Sequence, residues 1–108
     1  ILALGTPGSY GILQTQVQAM VGHVDFGLDI QAAIEMPRAR LWDGKQIYLE
    51  RRVPHSVCVE LSARGHDVAL LPDYSWRTGG MQAISRDPDS GALAGAADSR
   101  RDGAVIPA

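Results

Sequence analysis

The spacing of apolar positions changes several times along the chain, and each spacing predicts a different element. Ile1 to Leu4 are an unbroken apolar run that reads as a strand, and it leads into Gly5, Gly8 and Gly11 with Pro7 and Ser9 between them. From there Ile12, Leu13, Gln16, Val17, Met20, Val21 and Val24 recur at helical spacing, which predicts a helix whose apolar stripe packs on a sheet. Gly27 is placed to stop it, because a glycine just past a helix end adopts the left-handed conformation at little cost. Asp29 then reads as the N-cap of a short helix from Ile30 to Met36 that Pro37 ends.

Alternation follows. Arg38 to Trp42 and Gln46 to Arg51 flank Asp43-Gly44, a hairpin signal, with Leu41, Ile47 and Leu49 as its buried contacts. Helical spacing returns from Pro54 to Arg64, with Val57, Cys58 and Leu61 on the apolar face and Gly65 as the stop. His66 to Leu71 reads as a strand. Met81 to Arg86 and Ala92 to Ala97 are two more, joined by the bend-forming stretch Asp87-Pro88-Asp89-Ser90-Gly91. The pattern predicts an α+β chain with antiparallel hairpins and no regular βαβ alternation. The polar tail from Asp98 onward is expected to be its loosest part.

Composition limits what such a chain can do. Its 108 residues, 45% hydrophobic, suffice for one domain with a modest core or for part of a larger one. The formal charge is −2, from 10 basic and 12 acidic residues, and aromatics make up 6%. There is no basic stripe and little to stack bases on, so nucleic acid is not expected as a partner. The single Cys58 excludes an internal disulfide and a multi-cysteine metal site, and is read as a small buried thiol. No apolar run approaches the ~20 residues of a membrane span, and no secretory leader pattern is present. Ile1 is not an initiator methionine, and Ile1 to Leu4 read as a strand arriving from something earlier. The chain is therefore expected to be a single partial domain, 1–108, the C-terminal piece of a longer polypeptide whose other part carries the reacting group.

The opening glycines admit several chemistries. A glycine-rich turn between a strand and a helix can aim backbone N–H groups at a phosphate, a carboxylate or a developing oxyanion. The spacing here is G-x-x-G-x-x-G, not the G-x-G-x-x-G of dinucleotide sites, and Asp25 and Asp29 fall between helices and not at a strand end. A phosphate loop also fails, since no Gly-Lys-Ser/Thr follows. A tight turn without further function satisfies the glycines equally well.

The order of motifs along the chain decides more. Gly5-Thr6-Pro7-Gly8, Asp25-Phe26-Gly27-Leu28-Asp29-Ile30, Pro37-Arg38, Glu50, Leu61-Ser62-Ala63-Arg64-Gly65-His66, Met81-Gln82-Ala83-Ile84 and Gly95-Ala96-Ala97-Asp98-Ser99-Arg100 follow one another at compatible spacing. Together they resemble the C-terminal part of the small subunit of the gamma-glutamyltransferases, or gamma-glutamyltranspeptidases. The resemblance implies an α+β chain forming the C-terminal portion of an N-terminal nucleophile hydrolase αββα sandwich. It also implies a self-cleaving precursor, a zymogen, whose new N-terminal threonine attacks gamma-glutamyl amides of the glutathione type through an acyl-enzyme. That threonine lies upstream of the motif, and Thr6, which is internal, is not its counterpart.

What the resemblance assigns to this chain is the oxyanion hole. The two consecutive glycines of the family align with Gly8 and Ser9, whose backbone N–H groups are the expected donors; Ser9 departs from the usual glycine and adds a side chain that disfavours positive φ. The implied partners are the large subunit, the N-terminal part of the small subunit and a small gamma-glutamyl substrate. No cofactor or metal is implied, and His23, His55 and His66 lack partners at ligand-pair spacing. Arg38 is read as a structural arginine at a helix end, and Asp98 with Arg100 as an ion pair holding the tail. Arg40 stands where many relatives carry histidine. Trp42, Tyr48, Tyr74 and Trp76 are read as packing residues. Two other functions remain open at this point: an acylase of glutaryl-type amides on the same scaffold, and a non-catalytic relative serving as a binding or assembly module.

Overall fold

A computed structural model of the chain describes residues 1–107. Its elements, in order, are β1 (Leu2–Gly5), α1 (Gly11–Met20) continuing into a π-helical turn (Val21–Asp25), α2 (Ile30–Glu35), β2 (Ala39–Leu41), β3 (Gln46–Glu50), α3 (His55–Ala63), β4 (Asp67–Leu71), a 3₁₀ turn (Trp76–Thr78), β5 (Gln82–Arg86) and β6 (Leu93–Ala97). They form two three-stranded sheets, β1-β5-β6 and β2-β3-β4. The first is wholly antiparallel, with Leu4 opposite Ala83 and Ala83 opposite Ala96. The second pairs β2 antiparallel with β3 but β3 parallel with β4. Antiparallel pairing without a regular βαβ alternation is what the sequence predicts, and one βαβ unit is added to it: β3, α3 and β4, where a helix between two strands returns the chain in its original direction.

Local signals explain most boundaries. Asp29 caps α2 by accepting a 2.9 Å hydrogen bond from the Ala32 N–H. Gly65, at φ +94°, closes α3 in a Schellman arrangement: its N–H donates to Ser62 O and the His66 N–H to Leu61 O. Asp87 Oδ1 accepts from the N–H groups of Asp89 and Ser90 and so shapes the β5–β6 turn. The β2–β3 turn is wider than the two-residue form expected of Asp-Gly. Trp42 N–H donates to Gln46 O across residues 43–45, and only Gly44 in it takes a positive φ.

The core lies where α1 and α2 cover one face of the first sheet: Ala19, Ile30, Ile34, Met81, Ala83 and Ala96, with Leu2 and Leu4 against them. Here the stripe expected of α1 is corrected. The helix buries Gly11, Thr15 and Ala19, while Leu13, Val17 and Val24 are more than half exposed. Small residues let α1 approach closely. At Gly22 an added Cβ would sit 2.5 Å from Met36 Sδ on the chain leaving α2. Ile47 and Leu49 are buried as expected of the hairpin, but Leu41 is exposed, and α3 has no fully buried residue.

Three glutamines close the sheet edges. Gln18 accepts from Ala39 N–H and donates to Ala39 O, both at 2.8 Å, and Gln14 does the same for Leu41 at 2.7 and 3.1 Å. Gln31 treats Ala97 of β6 likewise, at 2.9 and 3.0 Å. Each side-chain amide stands in for the peptide of a neighbouring strand, which leaves those edge positions unavailable for pairing.

Other apolar surface stays open. Ile84 and Leu93 are exposed on the first sheet, as are Leu13 and Val17 on α1. The radius of gyration, 14.8 Å, exceeds the roughly 13 Å of a compact chain this long. As an isolated 108-residue polypeptide the protein is therefore expected to self-associate or unfold in part, visible by sedimentation as species above the monomer mass. A clean monomer with one cooperative denaturant transition is the contrary result.

Candidate active site

The loop between β1 and α1 combines unusual backbone geometry with free donors. Gly8 has φ +138° and Ser9 φ +53°, the latter being the one non-glycine residue with positive φ among the described residues. Their carbonyls are occupied, accepting from Gly11 N–H at 2.9 Å and Ile12 N–H at 3.0 Å. Their own N–H groups donate to no group among the described residues. Helix α1 begins just beyond, with no side-chain cap and no acidic residue in its first turn, so its positive end is left uncompensated. Such a loop can receive an anion or a carbonyl oxygen that is becoming one.

Thr6 fastens the loop from behind. Its hydroxyl accepts from Gly80 N–H at 3.0 Å and donates to Pro7 O at 3.2 Å. Next to Gly80, Gly79 has φ +103°, and a Cβ there would lie 2.7 Å from Thr6 Oγ1, so glycine permits the close approach. The segment 78–80 is itself held by Thr15 Oγ1, which donates to Thr78 O at 2.8 Å. Thr6 belongs to the turn, as its internal position implied.

Beneath this platform lies a buried charge network. Pro37 cuts α2 short and leaves the carbonyls of Ile34, Glu35 and Met36 without helical partners. Arginines supply the donors: Arg38 and Arg100 to Ile34 O at 2.7 and 2.9 Å, Arg52 to Glu35 O at 2.7 Å, and Arg100 to Met36 O at 2.7 Å. Their charges are met by two fully buried carboxylates. Arg100 grips Glu50 with two hydrogen bonds, 2.6 and 2.7 Å, and Arg38 lies 2.7 Å from Asp98. Glu50 Oε1 also accepts from Thr78 Oγ1 at 3.1 Å and from Ser75 N–H at 2.9 Å, which ties the network to the loop platform.

The electrostatics follow from these contacts. Burial pushes the Glu50 carboxyl up, but hydrogen bonds from Arg100 and the Ser75 N–H, with the charge of Arg100, outweigh it and hold its pKa below the usual value. Burial likewise opposes ionisation of Asp98, and the N–H groups of Met81 and Arg100 with the charges of Arg38 and Arg100 reverse the sign. Burial and the neighbouring Arg100 lower Arg38, while Glu50 and Asp98 overcome burial and raise Arg100.

Several expectations can now be placed. Arg38 is structural, and Asp98 with Arg100 does form an ion pair, at 3.1 Å. The tail is corrected in consequence: Asp98 and Arg100 are 1% and 6% exposed, so the chain is anchored through Arg100 and opens to solvent only beyond it. The role of Glu50 as partner of both Arg100 and Thr78 was not legible, although an acidic residue ending a strand beside Arg51-Arg52 was a usable signal. The aromatic residues are also corrected. Tyr74 packs under Arg52, whose Cζ is 3.7 Å from the ring centroid, but Trp42, Tyr48 and Trp76 line a cleft of about 530 Å³ together with Gly8, Arg40, Arg77 and Arg101. They are walls of an opening, not core.

With this geometry in place, the relatives can be compared. The gamma-glutamyltranspeptidase family profile matches residues 1–108. An acylase ACY 1 proenzyme of Pseudomonas sp. (strain V22) is 42% identical over 105 residues, covering 96% of this chain and 18% of that protein. A glutathione hydrolase proenzyme of Bacillus subtilis (strain 168) is 33% identical over 106 residues, covering 98% and 18%. Among solved structures, the cephalosporin acylase from Bacillus halodurans superposes with a TM-score of 0.88 at 37% identity, covering 95% of this chain and 19% of that one. The chain thus spans less than a fifth of the length of these relatives. Its α+β architecture is that of the N-terminal nucleophile hydrolases, a fold class shared by these transferases and hydrolases. The order of motifs, the glycine loop ahead of α1 and the match over the full chain agree: this chain belongs to the gamma-glutamyltranspeptidase family.

Proposed function

We propose that residues 1–108 are a partial domain of a longer, self-processing polypeptide and supply its oxyanion-hole loop for gamma-glutamyl transfer and hydrolysis. In this reading Gly8 and Ser9 N–H groups receive the oxygen of the tetrahedral intermediate. The nucleophilic threonine comes from the rest of the polypeptide, which also contributes to binding the glutamyl moiety. The observation that carries the reading is the pair of unpartnered N–H groups on consecutive residues with positive φ, directly ahead of an uncapped helix. Donors held by the backbone need no reorganisation as charge develops, and losing one typically costs ~3 kcal/mol of transition-state stabilisation.

An acylase of glutaryl-type amides is the second reading. It is favoured by one observation: the Pseudomonas acylase shares more identity with this chain than the Bacillus subtilis glutathione hydrolase does. The two acyl groups differ by an α-ammonium, so one experiment separates them. The full polypeptide carrying this chain is processed and assayed on gamma-glutamyl and glutaryl p-nitroanilides. We expect kcat/KM for the gamma-glutamyl compound to be about tenfold higher or more, since a site built for a charged group rejects the analogue lacking it. The reverse preference identifies the acylase. A folded polypeptide that turns over neither is the non-catalytic relative, and the isolated 108 residues are expected to turn over neither.

A further inference from the structure

We propose that the cleft beside Gly8 is a carboxylate subsite for the substrate, formed by Arg40, Arg77 and Arg101; the inference rests on the catalytic reading above. The six arginines of the buried network and of this cleft divide into two groups. Arg38, Arg52 and Arg100, which are at least partly withdrawn from solvent, each lie on a carboxylate. Arg40, Arg77 and Arg101 have none within 4.0 Å among the described residues. All three nevertheless line one opening of about 530 Å³, in a chain whose formal charge is −2.

These guanidinium groups are held in place and left with donors to spare. Arg40 donates through Nη1 to Arg77 O at 2.7 Å, and Arg101 through Nη2 to Trp76 O at 3.2 Å, so both are fixed around the Trp76–Arg77 segment. The absence of a side chain at Gly11 makes room for this, since a Cβ there would lie 3.2 Å from Arg40 Cζ. Arg40 Nε and Arg101 Nε are buried without an acceptor. A buried donor left unmet is costly, so an acceptor that draws either guanidinium toward it, as a carboxylate does, recovers part of the loss. The Arg77 guanidinium makes no hydrogen bond or ion pair among the described residues, lies 5.9 Å from the Trp76 ring centroid and lines the same opening. Three like charges with no carboxylate within 4.0 Å among the described residues favour an anion.

The walls specify what carries that anion. Trp42, Tyr48 and Trp76 offer flat apolar faces, with Arg40 Cζ 4.7 Å from the Trp42 ring centroid. A carboxylate on a planar or apolar group fits them. Gly8 is part of the same wall, so the bound group sits next to the carbonyl that reacts. The carboxylate has two sources, the acyl donor itself or the amine that leaves or accepts.

The test uses the processed full-length enzyme with Arg77→Gln, Arg101→Gln, the double variant and Arg77→Lys. Kinetics compare the preferred acyl group on a neutral anilide and on an anilide bearing a ring carboxylate, and calorimetry compares benzoate with benzamide. If the carboxylate belongs to the amine, the ratio of kcat/KM for the carboxylated to the neutral anilide falls about tenfold or more in the double variant, and Arg77→Lys keeps part of it. If both anilides lose equally while benzoate binding is also lost, the subsite stands and holds the acyl donor's carboxylate. A wild-type enzyme that hydrolyses neither anilide but binds benzoate through these arginines refutes the catalytic reading and not the subsite. A ratio and a benzoate affinity untouched by every substitution overturn the proposal, and exposed Arg77, whose side chain makes no hydrogen bond or ion pair among the described residues, is enough to decide it.

Discussion

Replacing Gly8 by valine in the processed full-length enzyme is expected to lower kcat and kcat/KM together by ~10² or more while folding and self-processing survive. The backbone at Gly8 has φ +138°, a conformation that costs an L-residue about 1–3 kcal/mol. Yet a Cβ there meets no atom within 4 Å, so the fold has room for the side chain. That open space lies beside the free N–H groups, where an acyl carbonyl would have to come. The damage should therefore fall chiefly on the transition state, with a stability loss limited to the backbone strain of about 1–3 kcal/mol. Ser9 makes the contrast. It already carries a side chain at φ +53°, and its proposed donor is the backbone N–H, so Ser9→Ala is expected to be mild and Ser9→Gly to leave the rate equal or higher. Stopped assays on purified, folded variants check this. If Ser9→Ala is as inactive as Gly8→Val, the hydroxyl carries chemistry and the backbone assignment is wrong. If folded Gly8→Val turns over normally, the loop is only a turn.

Glu50→Gln is expected to cost the full-length protein about 3–5 kcal/mol, the usual consequence of removing one partner from a buried ion pair. Glu50 is 0% exposed and accepts from Arg100, Thr78 Oγ1 and the N–H groups of Ser75 and Arg38. An amide keeps the shape but leaves the charge of Arg100 with Asp98 as its only buried counter-ion. The same carboxylates give stability a defined pH dependence. The folded-state pKa values of Glu50 and Asp98 lie below their unfolded values. Their contribution is accordingly complete above an unfolded pKa of about 4 and is lost as pH falls through the lower folded values. Denaturant titrations at pH 7, 5, 4 and 3 should show wild-type stability dropping most steeply below about pH 4, with a shallower acid limb in Glu50→Gln because one titrating group is gone. An unchanged midpoint at pH 7 would remove the network as the support of the loop platform.

The difference between what was readable along the chain and what was not has a physical cause. Asp29, Gly65 and the Asp87–Gly91 bend act on backbone groups within a few residues, so their outcome follows from consecutive side chains alone. Helical spacing in α1 was equally readable as a helix. It could not say which face is covered, and the covered face proved to be the small one, Gly11, Thr15 and Ala19. Periodicity records that a helix has two faces, whereas burial depends on what arrives against them.

The family was recoverable because short motifs kept their order and spacing, and Gly8 and Ser9 came with it. The sequence by itself determined the elements, their caps and the place of the glycine loop, since these depend on local dihedral preferences. Tertiary structure alone decided that β1 pairs with β5, that β3 and β4 run parallel, and that Glu50 meets Arg100 from fifty residues away. It also decided that Arg40, Arg77 and Arg101 share one cleft with Gly8. Those contacts depend on two sheets closing around α1 and α2, a cooperative packing of segments distant in the chain that no local preference encodes.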